Sequence, residues 1–133
     1  MKHLPTIAGV LLGLLFLMFG LNFFFPFLPA QPQPPAGTPP ALFMGALYPT
    51  GYLAFVKLFE ISGGLLCLFP KTRALGLLLL GPVIVNILAF HVFLTKGAGL
   101  TQPPVLAITV LSLFLVWTHR AGFLALFRTP ASA

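Results

Sequence analysis

Glu60 is the only acidic residue in a chain of 133. It lies within GYLAFVKLFEISGGLLCLF, residues 51–69, an otherwise greasy segment, one helical turn from Lys57. Charged residues make up only 6% of the chain and hydrophobic ones 59%, whereas a soluble domain carries about 25% charged residues. Such a chain cannot cover a water-facing surface, so a lipid bilayer is its expected solvent and partner. The mean hydropathy of +1.07 agrees. A formal net charge of +6 comes from cations spread too thinly to form a patch, so no nucleic-acid partner is expected. The single cysteine, Cys67, excludes an internal disulfide and a Cys-x-x-Cys redox pair.

The length fits one membrane domain, residues 1–133. Residues 5–28 (PTIAGVLLGLLFLMFGLNFFFPFL) are long enough to cross a hydrocarbon core of about 30 Å with tilt. Lys2 and His3 precede them, which raises a cleaved signal peptide ending near LPAQP. The apolar run exceeds a signal peptide's usual core of about 7–15 residues. It also carries Gly9-x-x-x-Gly13 and ends in aromatics, so a retained helix is expected. Residues 29–40 (PAQPQPPAGTPP) hold too many prolines for a regular helix and predict an extended loop. Residues 41–48 are apolar but too short to cross, and predict a short interfacial or re-entrant helix.

Three further spans follow, at residues 51–69, 74–95 and 103–119. Pro82 lies inside the third, where it cannot donate to the carbonyl of Leu78, and predicts a kink. AGFLALF, after Arg120, predicts a tail at the membrane surface. The fold class is therefore all-α: a four-transmembrane-helix bundle with a short helix between spans one and two. Lys2, Lys71, Arg73, Arg120 and Arg128 fall on one side of that bundle and only Lys96 on the other. The positive-inside rule then puts both termini in the cytoplasm.

The polar residues within the spans converge in depth. Measured from the outer helix ends, Asn22 and Lys57 lie ~9 Å in, Glu60 and Asn86 ~14 Å, and His91 ~6 Å. All five fall in the outer half, on three helices. A charge in hydrocarbon is costly, so Glu60 should face the bundle interior, with Lys57 on the same helix face. Asn86 and His91 can add hydrogen bonds from the third span. They are about 140° apart on a regular helix, so a common site needs a distortion or a wide pocket. The small residues Gly9, Gly13, Ser62, Gly63 and Gly64 allow close helix packing around this polar centre.

The five residues Lys57, Glu60, Asn86, His91 and Asn22 are the candidate ligand-binding or proton-handling set. Their structural alternative is a polar lock that only holds the helices together, and for Asn86 that alternative leads. Cys67 reads as a buried small hydrophobe. No metal cluster, phosphate loop or nucleophile motif is present. His91 and His119 fall near opposite membrane faces, which excludes a bis-histidine haem within one subunit.

In order and spacing, GLLFLMFGLNFF, FMGALYPTGYLAFVKLFEISGGLLCLF, GPVIVNILAFHVFL and HRAGFLALF resemble the bacterial DoxX-like membrane proteins. The resemblance runs from about Gly13 to Phe127. Its most specific pieces are Lys57-x-x-Glu60 followed by Gly63-Gly64, and Pro82-x-x-x-Asn86-x-x-x-x-His91. It implies a four-helix, multi-pass protein of the bacterial inner (cytoplasmic) membrane. The family is named from a subunit associated with thiosulfate:quinone oxidoreductase and quinol-oxidase systems. Many relatives carry an arginine at the start of the first span, where this chain has only Lys2 and His3.

The resulting expectation is an accessory or anchor subunit of a quinone-linked redox system, not an autonomous enzyme. Quinone is the candidate ligand, and redox-complex subunits or a second copy of the chain are the candidate partners. Two alternatives stay open: an oligomeric carrier for a proton or small solute that titrates Glu60, and a structural membrane protein without a ligand.

Overall fold

The computed structural model describes residues 2–128, and these form six α-helices and no strand. Helix α1 covers Leu4–Phe24, α2 Pro39–Leu47, α3 Tyr52–Leu68, α4 Arg73–Ala89, α5 Pro103–Thr118 and α6 Arg120–Ala125. A π-helical turn, Phe90–Leu94, extends α4.

Prolines set several starts. They occupy the first helical positions of α1, α2 and α5, where the missing N–H would have no partner anyway. Residues 39 and 40, expected in the loop, therefore open α2. The first helix ends at Phe24, four residues before the expected boundary at Leu28. Asn22 Oδ1 accepts from the backbone N–H groups of Phe27 (2.9 Å) and Leu28 (2.8 Å), which folds the chain back over the helix end. Gly51 adopts a left-handed φ of 82° at the junction of α2 and α3, whose axes bend by 83°. Helix α4 continues through Pro82, and its regular pattern changes only at Phe90.

Two helices are long and apolar enough to cross a membrane: α1, with 21 residues, and α4 with its extension, with 22. The bent pair α2–α3 adds a third if it counts as one broken span. Alone, α3 has 17 residues and α5 has 16, short of the roughly 20 a straight crossing needs. Helix lengths therefore give fewer than the four clear spans expected from the sequence. The reason is that the expected segments were already short and lose residues to caps: 51–69 gives up Gly51 and Phe69, and 103–119 gives up His119.

The helices pack through their smallest residues. Gly13 of α1 meets Gly64 of α3 so closely that a Cβ at residue 13 would lie 2.5 Å from Gly64 O. Further along α1, Gly20 faces Ile61, so the partner number falls as the α1 number rises and the two helices run antiparallel. The same logic applies between α3 and α4. A Cβ at Gly76 would lie 2.8 Å from Gly63 O and 2.9 Å from Cys67 N, while Gly63 also faces Leu80. Helix α5 packs on the other side of α1 and touches α4 more lightly.

Leu12 and Phe16 of α1, Cys67 of α3, Leu80 of α4 and Leu115 of α5 are fully buried in the resulting core. Large apolar side chains such as Leu14, Leu58, Leu75, Val85 and Leu113 face outwards. Helices that are apolar all round suit a lipid surrounding. In Gly13→Ala the methyl group would meet backbone rather than a movable side chain. It should cost about 1–3 kcal/mol, read as a lower thermal midpoint in detergent. Gly81→Ala, with nothing within 4 Å of its added Cβ, should leave the midpoint unchanged or raise it.

Candidate functional site

A cavity of about 800 Å³ opens between α2, α3, α4 and the proline-rich loop. Its size lies within the range of small-molecule sites, roughly 300–1,000 Å³. Helix α3 supplies Lys57 and Glu60, three residues apart and so on one face. Helix α4 supplies Asn86, and its π-helical extension supplies His91. The widened turn is visible where Thr95 N–H donates to Phe90 O, five residues back, at 3.2 Å. The breadth of the cavity brings Asn86 and His91 to one lining despite their divergence on a regular helix. Phe43 of α2 closes against Phe90, ring centroids 5.6 Å apart. Pro32, Gln33 and Pro34 form the roof.

Glu60 is 5% exposed. Lys57 Nζ lies 2.9 Å from its Oε2. The two form an ion pair, and Oε2 is buried. No hydrogen bond from another described residue reaches the carboxylate. The hydrogen bonds expected from Asn86 and His91 go elsewhere. Asn86 Nδ2 donates to Pro82 O at 2.8 Å, within its own helix. His91 Nδ1 lies 3.2 Å from Ala98 O in the following loop. A carbonyl oxygen only accepts, so the neutral ring carries its proton on Nδ1 and leaves Nε2 as an acceptor.

Four of the five expected residues thus meet on one cavity lining. Asn22 does not: it lies outside the lining, and its side-chain oxygen is engaged at the end of α1. Its depth along the helix is shared with the others, but its side chain serves the local chain reversal.

Two features escaped the sequence reading. One is the roof, whose Gln33 is one of few polar side chains in the loop and the only signal it offers. The other is Arg73, expected in a polar turn with the cytoplasmic cations. It opens α4 and is 2% exposed. Its Nε donates to Cys67 O at 2.8 Å and its Nη2 to Leu68 O at 3.4 Å. The last carbonyls of α3 have no partner within the helix, and a cation suits that negative end. The guanidinium also lies against Gly9 of α1, where a Cβ would collide with it. Arg73 thereby joins α1, α3 and α4 at the end of the bundle away from the cavity. A glycine at position 9, near the start of α1 and level with residue 73 at the start of α4, was the available signal.

No family model matches the chain. No solved structure matches it. Over 77 residues the chain is 34% identical to "Uncharacterized protein YwoB" of Bacillus subtilis (strain 168), an alignment that covers 58% of this chain. The chain spans about half the length of that relative, 48%.

The pair of buried Glu60 and half-buried Lys57 carries its own prediction. Lys57→Met leaves Glu60 without its counter-charge, and breaking a buried pair from one side costs roughly 3–5 kcal/mol. The double variant Lys57→Met/Glu60→Leu should recover most of that loss in thermal unfolding, because two apolar side chains leave no charge unpaired.

Proposed function

We propose that the chain is a four-span protein of the bacterial inner membrane, of DoxX-like type. It holds a quinone-class lipophile in the cavity and serves as an accessory or anchor subunit of a membrane redox system. The observation that carries the ligand reading is the cavity itself, an apolar and aromatic chamber with the chain's one carboxylate in its wall. Four spans are supported by packing rather than by length. Helix α3 runs antiparallel to α1 and α4, the two full-length apolar helices, and α5 lies alongside α1. Helices packed lengthwise on a spanning helix share its depth. The short ones are accommodated by local thinning and by flanking apolar turns. The distribution of cations supports cytoplasmic termini.

The residues present fit a quinone-class group. Phe43 and Phe90 offer faces for a flat ring, and the wider apolar lining suits an alkyl or isoprenoid tail. Lys57 can donate to an oxygen of the head group, and Glu60 and His91 can accept from one. A bound quinone or hydroquinone would supply two-electron, two-proton carrier chemistry. The chain's part is to hold the head group in the outer half, to keep water from it, and to present groups that take or return a proton at Glu60 and His91 Nε2. The absence of a dithiol and of a bis-histidine pair suits an accessory role, with electrons handled by a partner subunit.

Two experiments test this reading. In a Cys67→Ala background, a cysteine replacing Lys96 should react with a membrane-impermeant maleimide from outside the cell, and one replacing Lys71 only after permeabilisation; the reverse pattern would contradict the orientation. Val56→Trp, which fills the cavity from α3, should weaken binding of a decyl benzoquinone–hydroquinone couple by about tenfold or more, since steric overlap of this kind costs about 1–3 kcal/mol. Leu113→Trp, on the outward face of α5, should leave binding unchanged. Equal affinity of all three proteins would remove the cavity from the account.

A further inference from the structure

Among the described residues that line the cavity, Lys57 is the only lysine or arginine and Glu60 the only carboxylate. The two are not equally accessible. The lysine side chain is 20% exposed and the glutamate side chain 6%, and the buried Oε2 lies 2.9 Å from the ammonium. An ammonium has three N–H groups, so donors of Lys57 remain for a ligand oxygen after it has met Glu60. A lone ammonium in an apolar chamber would draw in an anion, because a charge out of water is costly until it is paired. A bilayer holds amphiphilic anions in quantity, with carboxylate or phosphate head groups. Beside Glu60 the lysine keeps its donors and loses its net charge. A second anion brought to Lys57 would also come close to Glu60, and like charges repel strongly where water is excluded.

We propose that the Lys57–Glu60 pair makes the cavity a charge filter. It admits an uncharged, oxygen-bearing amphiphile, to which Lys57 donates a hydrogen bond, and refuses an anionic amphiphile of the same shape. The proposal rests on the quinone-class reading above and adds the exclusion of fatty-acid and phosphate-headed lipids. Those lipids are the competitors such a site meets, because Phe59 and Leu78 line the cavity from α3 and α4 and are also exposed on the surface of the chain. Glu60 acts here through Lys57, as a positioning residue that cancels its charge, and does not have to touch the ligand. The chain's one carboxylate thereby has a task that an uncharged side chain could not perform. No proton or electron changes hands.

The test uses the purified full chain in zwitterionic lipid nanodiscs at about pH 8, where an ordinary imidazole is neutral. Two probes differ in charge and little in shape: para-decyl benzenesulfonate, always anionic, and para-decyl benzenesulfonamide, uncharged. A decyl benzoquinone is the third. Comparing one probe across variants cancels its partition into the lipid. A hydrogen bond to a charged group corresponds to about tenfold in affinity or more. Glu60→Gln, which leaves Lys57 unanswered, should therefore raise the affinity for the sulfonate by about tenfold or more and leave that for the sulfonamide within a few-fold. Glu60→Leu makes the same change of charge and serves if Glu60→Gln does not fold. Lys57→Met/Glu60→Leu, again without net charge, should refuse the sulfonate as the unaltered chain does. A sulfonate that binds the unaltered chain as tightly as the sulfonamide overturns the filter. So does an affinity for it that Glu60→Gln leaves unchanged, or a loss of both probes alike, which is what a purely structural pair would give. Benzoquinone binding in either of these cases leaves the quinone-class reading standing. Sulfonamide binding without benzoquinone binding, with the expected response to Glu60→Gln, supports the filter and removes the quinone. Binding of none of the three overturns both.

Discussion

A carboxylate inside a lipid-soluble bundle imposes a requirement on everything around it. The charge must be shielded from hydrocarbon and given a counter-charge, or the helix that carries it will not stay in the membrane. Glu60 meets the first need by 5% exposure and the second through Lys57, one turn earlier on the same face. That degree of burial depends on close helix approach. Gly13 against Gly64 and Gly63 against Gly76 let α1, α3 and α4 approach backbone to backbone. Without a strong hydrophobic drive between helices in lipid, such contacts supply much of the packing. At the other end of the bundle Arg73 does with hydrogen bonds what the glycines do with close contact. It satisfies the end of α3 while resting on α1. The two buried charges thus divide the bundle between them: one end is locked, and the other is open to a cavity.

Much of the helix order was legible because strong punctuation marks it. Gly51 before α3, the Pro70-Lys71-Thr72 turn before α4 and Gln102-Pro103 before α5 place those boundaries within one residue of the expected ones. The end of α1 was not legible from apolarity, which continues through Phe25 and Phe27 while the backbone has already turned. Only the side chain of Asn22 marks the reversal, and in a greasy segment it reads as a buried functional group. Helix α2 started earlier than expected because Pro39 and Pro40 begin a helix as readily as they break one.

Depth brought Lys57, Glu60, Asn86 and His91 to one cavity because depth along a helix follows from residue number alone. It failed for Asn22 because depth says nothing about where a side-chain oxygen finds its donors. The same limit applied to the bonding pattern of the other four. Asn86 and His91 reach the cavity lining, yet each spends a hydrogen bond on nearby backbone. Lateral contacts, such as Arg73 on Gly9 or Phe43 on Phe90, depend on helix rotation, which an all-round apolar sequence does not encode. In an amphipathic helix the polar stripe would have done so.

The central claim is that this cavity holds a redox-active lipophile in the cell's own membrane. The most direct measurement is native mass spectrometry of the chain released gently from the membranes in which it is made, with the bound small molecules identified by fragmentation. The account predicts a stoichiometric adduct of quinone or hydroquinone mass, retained under conditions that strip bulk phospholipid. A bare chain, or one that carries only exchangeable bulk phospholipid, would contradict it.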